Sequence, residues 1–330
     1  MPTMLLNPYN LGQLNSLIQI GLIQWHNGAE MSLPKTVAVR SLFYEKKAEE
    51  YMEEHAGFAE SGFSGVTTDN EDYRLVTDTE GDHITLTQVK RTVRRKITED
   101  LIEFNKYPKI YSLLRKTGTK LWRGYALDLS HRFTFAFDTS YVDRDGRTVA
   151  VTGGDGAALC ADTHTLNNGD TYDNKLVARL SESALEDAED LGSAMVDQNG
   201  QQVNPEFTTL VTANHAATKH MAAKLTGMQK QVGTDLNDSN PYYGQMRHVV
   251  VPYLDSTAGG AKNTSKSRYW FLIDESIAKG DEQFISSVRT MPTEEMPTVN
   301  PDNNCVQFKG KMRYDIGHLD SHWIVGSAAV

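Results

Sequence analysis

Two histidines have the spacing of a metal site. His318 and His322 are four residues apart, and on a helix this spacing places two imidazoles on the same face. However, Gly317 and the β-type sequence around it argue against a helix, and Leu319 follows His318 where a His-Glu-x-x-His motif has glutamate. We therefore predict no metal site, and a metal-dependent enzyme that uses His318 and His322 is the alternative from a different functional class.

Three further motifs resemble chemical sites but lack parts that the chemistry needs. Gly153-Gly154-Asp155-Gly156 has neither the glycine spacing nor the following helix of a dinucleotide-binding loop. Asp162 and His164 could form a carboxylate-oriented base, but a nucleophile is missing, and Cys160 is too near in sequence to supply one. Asp143-Arg144-Asp145-Gly146 begins like a calcium loop without the later oxygen ligands. We predict turns and local hydrogen bonds here, and no catalytic, cofactor-binding or metal-binding residue.

A basic run is the next candidate, and it consists of Lys90, Arg91, Arg94, Arg95 and Lys96. Such a run is ordinarily the solvated edge of a strand, since charge on an edge prevents unwanted pairing. The functional alternative is an intersubunit ion-pair surface that faces acidic residues of a neighbouring copy. The acidic candidates are Glu49, Glu50, Glu53 and Glu54. Direct contact with nucleic acid is a weaker third choice.

The composition limits the function classes further. Among the 330 residues, 39% are apolar and 23% are charged, so the chain can bury a core. Asp and Glu number 43 against 33 Lys and Arg, and a net charge of -10 disfavours a protein that reads nucleic-acid sequence. The two cysteines are too few for a disulfide-stapled secreted domain, so we expect synthesis in a reducing cytosol.

Residues 1–36 are interpreted as an extended arm with one short amphipathic stretch. No Lys or Arg precedes Lys35, and Gln19 and Gln24 interrupt the apolar residues. The segment therefore fits neither a signal peptide nor a membrane span. An apolar arm of this kind can wrap around another protein, and Trp25 is its candidate intersubunit contact.

The segment after the arm predicts a helix and then an extended hairpin. Apolar residues recur at helical spacing beside a charged face from Val37 to His55, which predicts a helix. Glu71–Thr79 and His83–Ile97 are interpreted as two extended strands joined by a hairpin turn at Glu80-Gly81-Asp82. Neither strand has a buried face of its own, and a hairpin without a core needs a partner surface. Another subunit is one such surface.

The rest of the chain predicts a mixed α+β fold. A long helix is predicted from Pro108 to Ser130, then a strand through Phe133, Phe135 and Phe137, and Met291 to Pro301 is predicted as a loop. The other predicted elements are strand Thr148–Val151, a helix begun by the capping box of Ser183 and Glu186, strand Phe207–Ala213, helix Ala216–Leu225 capped by Asn214, and strands His248–Tyr253, Tyr269–Ile273, Val306–Arg313 and His322–Val325. Strands and helices do not alternate regularly, so a doubly wound fold is not indicated.

This order of elements resembles the major capsid proteins of tailed bacteriophages, which have the Hong Kong 97 type fold. The resemblance covers residues 40–330 in element order, and three passages are similar to the Mu-like major head subunits. Asp155–His164 resembles a family segment that ends in His, although Thr165 stands where Pro is common. Leu180–Glu186 resembles the family's Leu-Ser-Glu-x-x-Leu-Glu helix start. Arg313–Gly317 together with Trp323–Ser327 resembles its closing pattern.

The resemblance implies a fold made of an N-terminal arm, an extended β-hairpin loop, a peripheral domain with a long spine helix, and an axial α/β domain. The implied boundaries are 1–36 for the arm, 37–61 for an N-terminal helix, 62–100 for the extended loop, 101–154 with 280–330 for the peripheral domain, and 155–279 for the axial domain. In such a fold the coreless hairpin and the apolar arm both find their partner surface on a neighbouring subunit.

The resemblance also implies a structural subunit, not an enzyme, that self-assembles into hexamers and pentamers of an icosahedral head around double-stranded DNA. The implied partners are further copies of the chain, scaffolding, portal and decoration proteins, and packaged DNA in non-specific contact, with no membrane and no cofactor. The implied location is the virion, after assembly in the host cytoplasm. An encapsulin-like compartment, which shares the fold but encloses enzymes, is the alternative within the same fold.

Overall fold

The structure of the chain is a computed structural model. It describes residues 38–59, 66–67, 69, 72, 79–98, 100–101, 104, 107–230, 239–280, 282–300 and 305–329. The predicted arm with Trp25 and most of the predicted strand Glu71–Thr79 lie outside the described residues. Within them, helices occur together with parallel and antiparallel strands, which confirms the predicted α+β class.

Three α-helices and fifteen strands lie wholly within the described residues. The helices are α1 (Tyr107–Thr134), α2 (Glu182–Ser193) and α3 (Ala216–Gly227). The strands are β1 (Tyr44–Lys47), β2 (Met52–Ala59), β3 (Thr79–Thr87), β4 (Val89–Ile97), β5 (Ser140–Val142), β6 (Thr148–Ala150), β7 (His164–Thr165), β8 (Thr171–Tyr172), β9 (Lys175–Leu176), β10 (Thr209–Ala213), β11 (Arg247–Val251), β12 (Trp270–Ile273), β13 (Phe284–Asn300), β14 (Cys305–His318) and β15 (Ile324–Ser327). Short turns of 3-10 and π-helix lie at Thr264–Lys266 and Ser276–Gly280.

Two sheets hold most of the strands. The four-stranded sheet has the order β1-β13-β14-β4, and the five-stranded sheet has the order β11-β10-β12-β15-β9. In the first, the long antiparallel pair β13 and β14 is flanked by β1 in parallel and β4 in antiparallel. In the second, β15 lies inside the sheet between β12 and β9. The remaining strands form the two-stranded pairs β2–β3, β5–β6 and β7–β8.

Helix α1 joins the two sheets through a shared core. Trp122, Tyr125 and Phe133 of the helix are buried. The ring of Phe133 lies 5.4 Å from Phe271 of β12 and 5.5 Å from Phe284 of β13, so it contacts one ring from each sheet. Aromatic side chains bury about 150–250 Å² each and dominate the stability of such cores. The helix therefore holds the two sheets in a fixed relation.

The predicted long helix is confirmed by α1, but the strand predicted through Phe133, Phe135 and Phe137 is wrong. Phe133 still belongs to the helix, and the other two lie in the turns that follow it. The alternation of phenylalanine with polar residues does not mark a strand here, because the rings of Phe135 and Phe137 each contact a different aromatic partner. Phe135 stacks on Tyr141 at 4.3 Å, and Phe137 packs edge-on against Tyr269 at 5.1 Å.

The predicted N-terminal helix, Val37 to His55 within the segment 37–61, is wrong. Among the described residues of this region only 38–40 are helical, and β1 and β2 follow them. Strand β1 pairs in parallel with β13, beginning with Tyr44 opposite Ile285. Main-chain hydrogen bonds to a strand so distant in sequence, together with burial, outweigh the local helical preference of the segment.

The predicted hairpin turn at Glu80-Gly81-Asp82 is also wrong. These residues lie within β3, which pairs antiparallel with β2, whereas β4 pairs with β14. The chain passes from β3 to β4 at Gln88, whose side-chain amide donates to the hydroxyl of Ser287 at 2.9 Å. The backbone N–H of Gln88 donates to the carbonyl of Tyr51 at 2.9 Å. An extended ribbon thus exists, but β2 and β3 form it, and we call it the β2–β3 ribbon.

The predicted loop from Met291 to Pro301 is wrong, because β13 continues to Asn300. Prolines in a strand remove hydrogen-bond donors, so they are expected at irregularities of the pairing. Two register shifts between β13 and β14 occur here, and one encloses Pro292 while the other encloses Pro297. The strand accommodates its prolines at these shifts instead of ending at them.

The other predicted elements occur with shifted ends. Helix α2 begins two residues earlier than the predicted capping box, because Ser181 is the N-cap and its hydroxyl accepts from the backbone N–H of Ala184 at 3.2 Å. Helix α3 begins after His215, so the predicted cap at Asn214 is wrong. The predicted strands of the second half correspond to β6, β10, β11, β12, β14 and β15.

Candidate assembly surfaces

The predicted basic run lies in β4, at one edge of the four-stranded sheet. Its side chains alternate, as the pleat of a strand requires. Lys90, Arg94 and Lys96 are exposed, whereas Arg91 and Arg95 are half-buried on the face that α1 covers. The five cations are therefore divided between a solvated face and a face that packs within the chain.

Arg91 is already paired within the chain. Its guanidinium lies 3.4 Å from the carboxylate of Asp128 in α1. It also lies 3.0 Å from Asp143 and 2.7 Å from Asp145, both in the predicted turn after β5. Asp128 accepts a further hydrogen bond from Arg144 at 2.8 Å. Burial opposes the charge of Arg91, but the carboxylates outweigh it and raise the pKa of Arg91 above its ordinary value.

The acidic candidates differ in the same way. Glu49, Glu50 and Glu54 are exposed. Glu53 accepts from the backbone N–H of Glu49 at 2.7 Å and from the hydroxyl of Ser287 at 2.9 Å. Burial alone would raise the pKa of Glu53, but these hydrogen bonds lower it. The described residues contain no ion pair between the acidic set and the basic run, so the exposed members of both sets point to solvent.

The β2–β3 ribbon is anchored at its base on the four-stranded sheet. Leu86 of β3 is buried against Ile285 and Leu319, with Ile84 packed beside them. The backbone N–H of Thr87 donates to a carboxylate oxygen of Asp315 at 2.9 Å. These contacts fix where the ribbon leaves the sheet.

A second contact holds the ribbon further along β3. The glycine-rich motif Gly153–Gly156 forms the predicted turn, since the N–H of Gly156 donates to the carbonyl of Gly153. Its member Gly154 lies directly against the ribbon, because a Cβ atom at this position would be 2.3 Å from Cβ of Asp82. The motif therefore permits a close approach of two backbones, one of the ordinary uses of glycine.

The two histidine motifs meet in one buried cluster. The ring of Tyr172 stacks between those of His164 and His322, at centroid distances of 4.8 and 4.2 Å. Nδ1 of His164 is 2.6 Å from a carboxylate oxygen of Asp155, and Nδ1 of His322 is 2.5 Å from Asp320. We call these five residues the histidine cluster. It connects the turn before β7 to the segment between β14 and β15.

The partners that the sequence suggested for catalysis and metal binding are not brought together. Asp162 pairs with Lys175 at 2.7 Å, not with His164. Cys160 is buried, and burial raises the pKa of its thiol. His318 is buried without a partner for Nδ1, and burial lowers its pKa to about 3. Across the part of the chain that the structure describes, no three or more His, Cys, Asp or Glu side chains are grouped so that they could hold a metal ion.

Folding stability is expected to decrease as the pH rises above 6.5, in step with deprotonation of His322. Burial opposes the charge of this ring, but Asp320 and the carbonyl of Val196 at 2.8 Å outweigh it and raise the pKa of His322 above 6.5. A raised pKa in the folded chain stabilises the fold fully below the unfolded value and no longer does so above the folded value. Urea unfolding of the unassembled subunit between pH 6 and pH 9 measures this loss.

The matched variant is His322→Gln, whose folding stability should depend less on pH above pH 6.5. The burial-lowered pKa values of His131 and His318, about 4 and about 3, affect stability only as the pH falls below 6.5. These two histidines therefore affect folding stability in a separate pH range. An unchanged slope between pH 6.5 and pH 9 in the variant would rule out His322 as its source.

None of the described helices combines the length and the apolar character that crossing a lipid bilayer requires. The longest helix, α1, carries many charged side chains on its exposed face, including Lys116, Lys120 and Arg123. Leu121, Trp122 and Leu129 of this helix are buried in the protein core, as expected of an amphipathic helix in a globular fold.

No protein-family model and no curated protein sequence matches the chain. Solved structures do match it over most of their length. The capsid of Cyanophage P-SCSP1u matches with a TM-score of 0.50 at 10% identity, over 88% of this chain and 86% of that chain. The mature capsid of bacteriophage PhiM1 matches at 0.50 and 8% identity, over 87% and 85%. A structure from Gordonia phage Cozz matches at 0.51 and 8% identity, over 88% and 86%. The chain therefore has the fold of phage capsid proteins, which confirms the predicted resemblance at the level of the fold.

Proposed function

We propose that the chain is the major capsid protein of a tailed phage, a structural subunit and not an enzyme. The observation that carries the proposal is the fold shared with the capsid of Cyanophage P-SCSP1u over 88% of this chain. In this proposal the subunits assemble into hexamers and pentamers of an icosahedral head that encloses double-stranded DNA. Head-to-tail contacts suit such rings, because each subunit offers two different surfaces that meet around a closed circle.

The elements can be assigned to the parts of a Hong Kong 97 type subunit. The β2–β3 ribbon is the extended loop, which moves this part from the predicted 62–100 to Met52–Thr87. Helix α1 is the spine helix of a peripheral domain that also contains the four-stranded sheet. The five-stranded sheet belongs to the axial domain. Because this sheet includes β15, the axial domain takes a strand from the segment 280–330 that the sequence assigned to the peripheral domain.

The contacts between subunits are proposed to include ion pairs between two exposed sets. The basic set is Lys90, Arg94 and Lys96 of β4, and the acidic set is Glu49, Glu50 and Glu54 near the base of the ribbon. Tyr51 and Met52 next to the acidic set are 64% and 54% exposed, so they offer apolar area to the same interface. Exposed pairs contribute mainly to orientation and partner choice, and apolar burial contributes most of the affinity.

The proposed partners and location follow from the same assignment. Further copies of the chain are the main partner, and scaffolding, portal and decoration proteins are the others. The protein is proposed to assemble in the host cytoplasm and to remain in the virion, without a membrane or a cofactor. Total burial between obligate subunits of this kind is on the order of 2,000–5,000 Å² per interface.

Negative-stain electron microscopy of the expressed protein after gel filtration tests the proposal. Closed shells, or rings of five and six subunits, are the expected result. Nucleic acid inside the shells separates a phage head from an encapsulin-like compartment, which would contain a protein cargo instead. A stable monomer that co-purifies with stoichiometric zinc and loses an activity on His322→Ala would contradict the proposal.

A further inference from the structure

A cationic groove runs between β4 and helix α1. Two adjoining cavities of about 750 Å³ and about 590 Å³ form it, and they share Lys120 and Arg123 in their walls. The cations that line the two cavities are Lys90, Arg91, Arg94, Arg95, Lys116, Lys120, Arg123 and Arg144. Asp145 is the single carboxylate among the same lining residues. This concentration stands out in a chain whose net charge is -10, and we call it the basic groove.

Most of these cations are not neutralised by the residues that the structure describes. Arg91 and Arg144 are paired with the carboxylates already described. The other six have no carboxylate at ion-pair distance in the described part of the chain. Nε of Arg95 is in addition buried without a hydrogen-bond acceptor there. A buried donor without an acceptor is destabilising, and an anion in the groove is one way to satisfy it.

The cations of α1 are arranged in a row that faces the groove. Lys116, Lys120 and Arg123 are exposed, and their spacing of four and three residues places them on one face of the helix. At a rise of about 1.5 Å per residue the row extends over roughly 10 Å. Like charges at this spacing repel one another, so the row destabilises an isolated subunit and becomes favourable when an anion lies between its members.

The walls of the basic groove match an anion that is recognised by charge alone. None of the lining residues is Asn or Gln, the side chains that read adenine, and no large apolar side chain is exposed for a partner protein to bury. Leu121 and Leu127 are buried in the wall, and Tyr314 is buried with its hydroxyl donating to Asp128. Tyr253, the other ring in the wall, is half-buried, so none of the lining residues offers a fully exposed ring on which single-stranded bases could stack.

We propose that the basic groove binds the phosphate backbone of double-stranded nucleic acid without reading its sequence. Lys116, Lys120 and Arg123 from α1 and Arg95 from β4 supply the phosphate contacts. The inference deepens the proposed function, on which it rests for its natural occupant, the DNA that a shell encloses. It assigns the groove to the inner face of that shell. Binding itself is a property of the single subunit, so it can be measured without assembly.

Fluorescence anisotropy with an end-labelled duplex of mixed sequence tests this proposal on the unassembled full chain. The logarithm of the binding constant should fall linearly with the logarithm of the salt concentration, by about 0.9 for each phosphate contact. The triple variant Lys116→Gln, Lys120→Gln and Arg123→Gln should bind at least ten-fold more weakly at 50 mM NaCl. Its slope should be smaller by about 2.7, three contacts at about 0.9 each.

The matched control replaces Lys47, Lys224 and Lys230 with Gln, since these lysines are exposed and lie outside the groove. It changes the net charge by the same amount and should leave the salt slope unchanged. Circular dichroism of both variants verifies folding. Equal losses in the two variants, or binding of a poly-glutamate peptide with no binding of the duplex, would overturn the proposal. Duplex binding with no shells by microscopy would leave it standing and reject the proposed function instead.

Discussion

Replacing Arg91 with methionine is expected to lower the free energy of unfolding by about 3–5 kcal/mol, the usual cost of leaving a buried charge without its partner. Arg91 is 16% exposed, and Asp128 and Asp143 beside it are 7% and 2% exposed. Methionine replaces the aliphatic part of the side chain but not the guanidinium, so these carboxylates have less positive charge around them. Urea unfolding of the unassembled subunit at pH 7 measures the effect.

The control for this prediction is Arg94→Met on the opposite face of the same strand. Arg94 is exposed, and no carboxylate lies at ion-pair distance from it in the described residues. We therefore expect a change within about 0.5 kcal/mol, as for most surface substitutions. Lowering the pH should reduce the loss of unfolding free energy in Arg91→Met, because a protonated carboxyl group no longer requires a cation. Equal losses in both variants would show that the ion pairs around Arg91 do not stabilise the fold.

Replacing Gly154 with alanine is expected to displace the β2–β3 ribbon and prevent normal shell formation. The new Cβ would lie 2.3 Å from Cβ and 3.1 Å from Cα of Asp82, so either the turn or the ribbon must move. Overpacking of this kind costs about 1–3 kcal/mol. The larger consequence is for assembly, since the ribbon is a proposed contact between subunits. Gel filtration and electron microscopy measure the loss of shells, and urea unfolding measures stability.

A double variant identifies the clash as the cause. Asp82→Gly removes two of the three atoms nearest to the new Cβ, so Gly154→Ala combined with it should recover part of the stability and of the assembly. Gly227→Ala is the control for adding a methyl group, because nothing lies within 4 Å of a Cβ at that position. If the double variant is no better than Gly154→Ala alone, contact with Asp82 is not what the alanine disturbs.

Local sequence patterns were sufficient for the elements that carry a clear apolar period or a short apolar run of their own. The spacing of Ile110, Leu121 and Tyr125 predicted helix α1, and all three side chains are buried. Strands β10 and β12 were predicted from short apolar runs, and they pair with each other inside the five-stranded sheet. In these cases the spacing of the apolar residues within the segment indicates which face is buried.

Local sequence patterns gave wrong predictions where pairing with a strand distant in sequence determines the local structure. Residues 44–47 have a helix-like charge pattern, but they pair with residues 285–288, which no local period can reveal. The same holds for Glu80-Gly81-Asp82, which has the composition of a turn and lies in a strand because β2 supplies its partner. Tertiary pairing outweighs local preference at both places.

The residue types of the candidate surfaces could be predicted from the sequence, but their positions relative to one another could not. The basic run of β4 was evident, yet the sequence could not show that Lys116, Lys120 and Arg123 of α1 lie across the same groove. For the histidines, the spacing of four between His318 and His322 drew attention to a pair that the fold does not form. The partner of His322 is Asp320, two residues before it, and this short-range signal was present in the sequence.

The position of β15 inside the five-stranded sheet sets the order in which a newly made chain can be completed. Strand β12 must wait for β15 to pair with its open side, and β13 supplies the partner that β1 lacks until late in synthesis. Non-local pairing of this kind is slow, and unpaired strand edges tend to aggregate. A chain truncated before Ile324 cannot close either its sheet or its core around Trp323. Translation therefore acts as a checkpoint, since only chains synthesised past β15 can complete the five-stranded sheet.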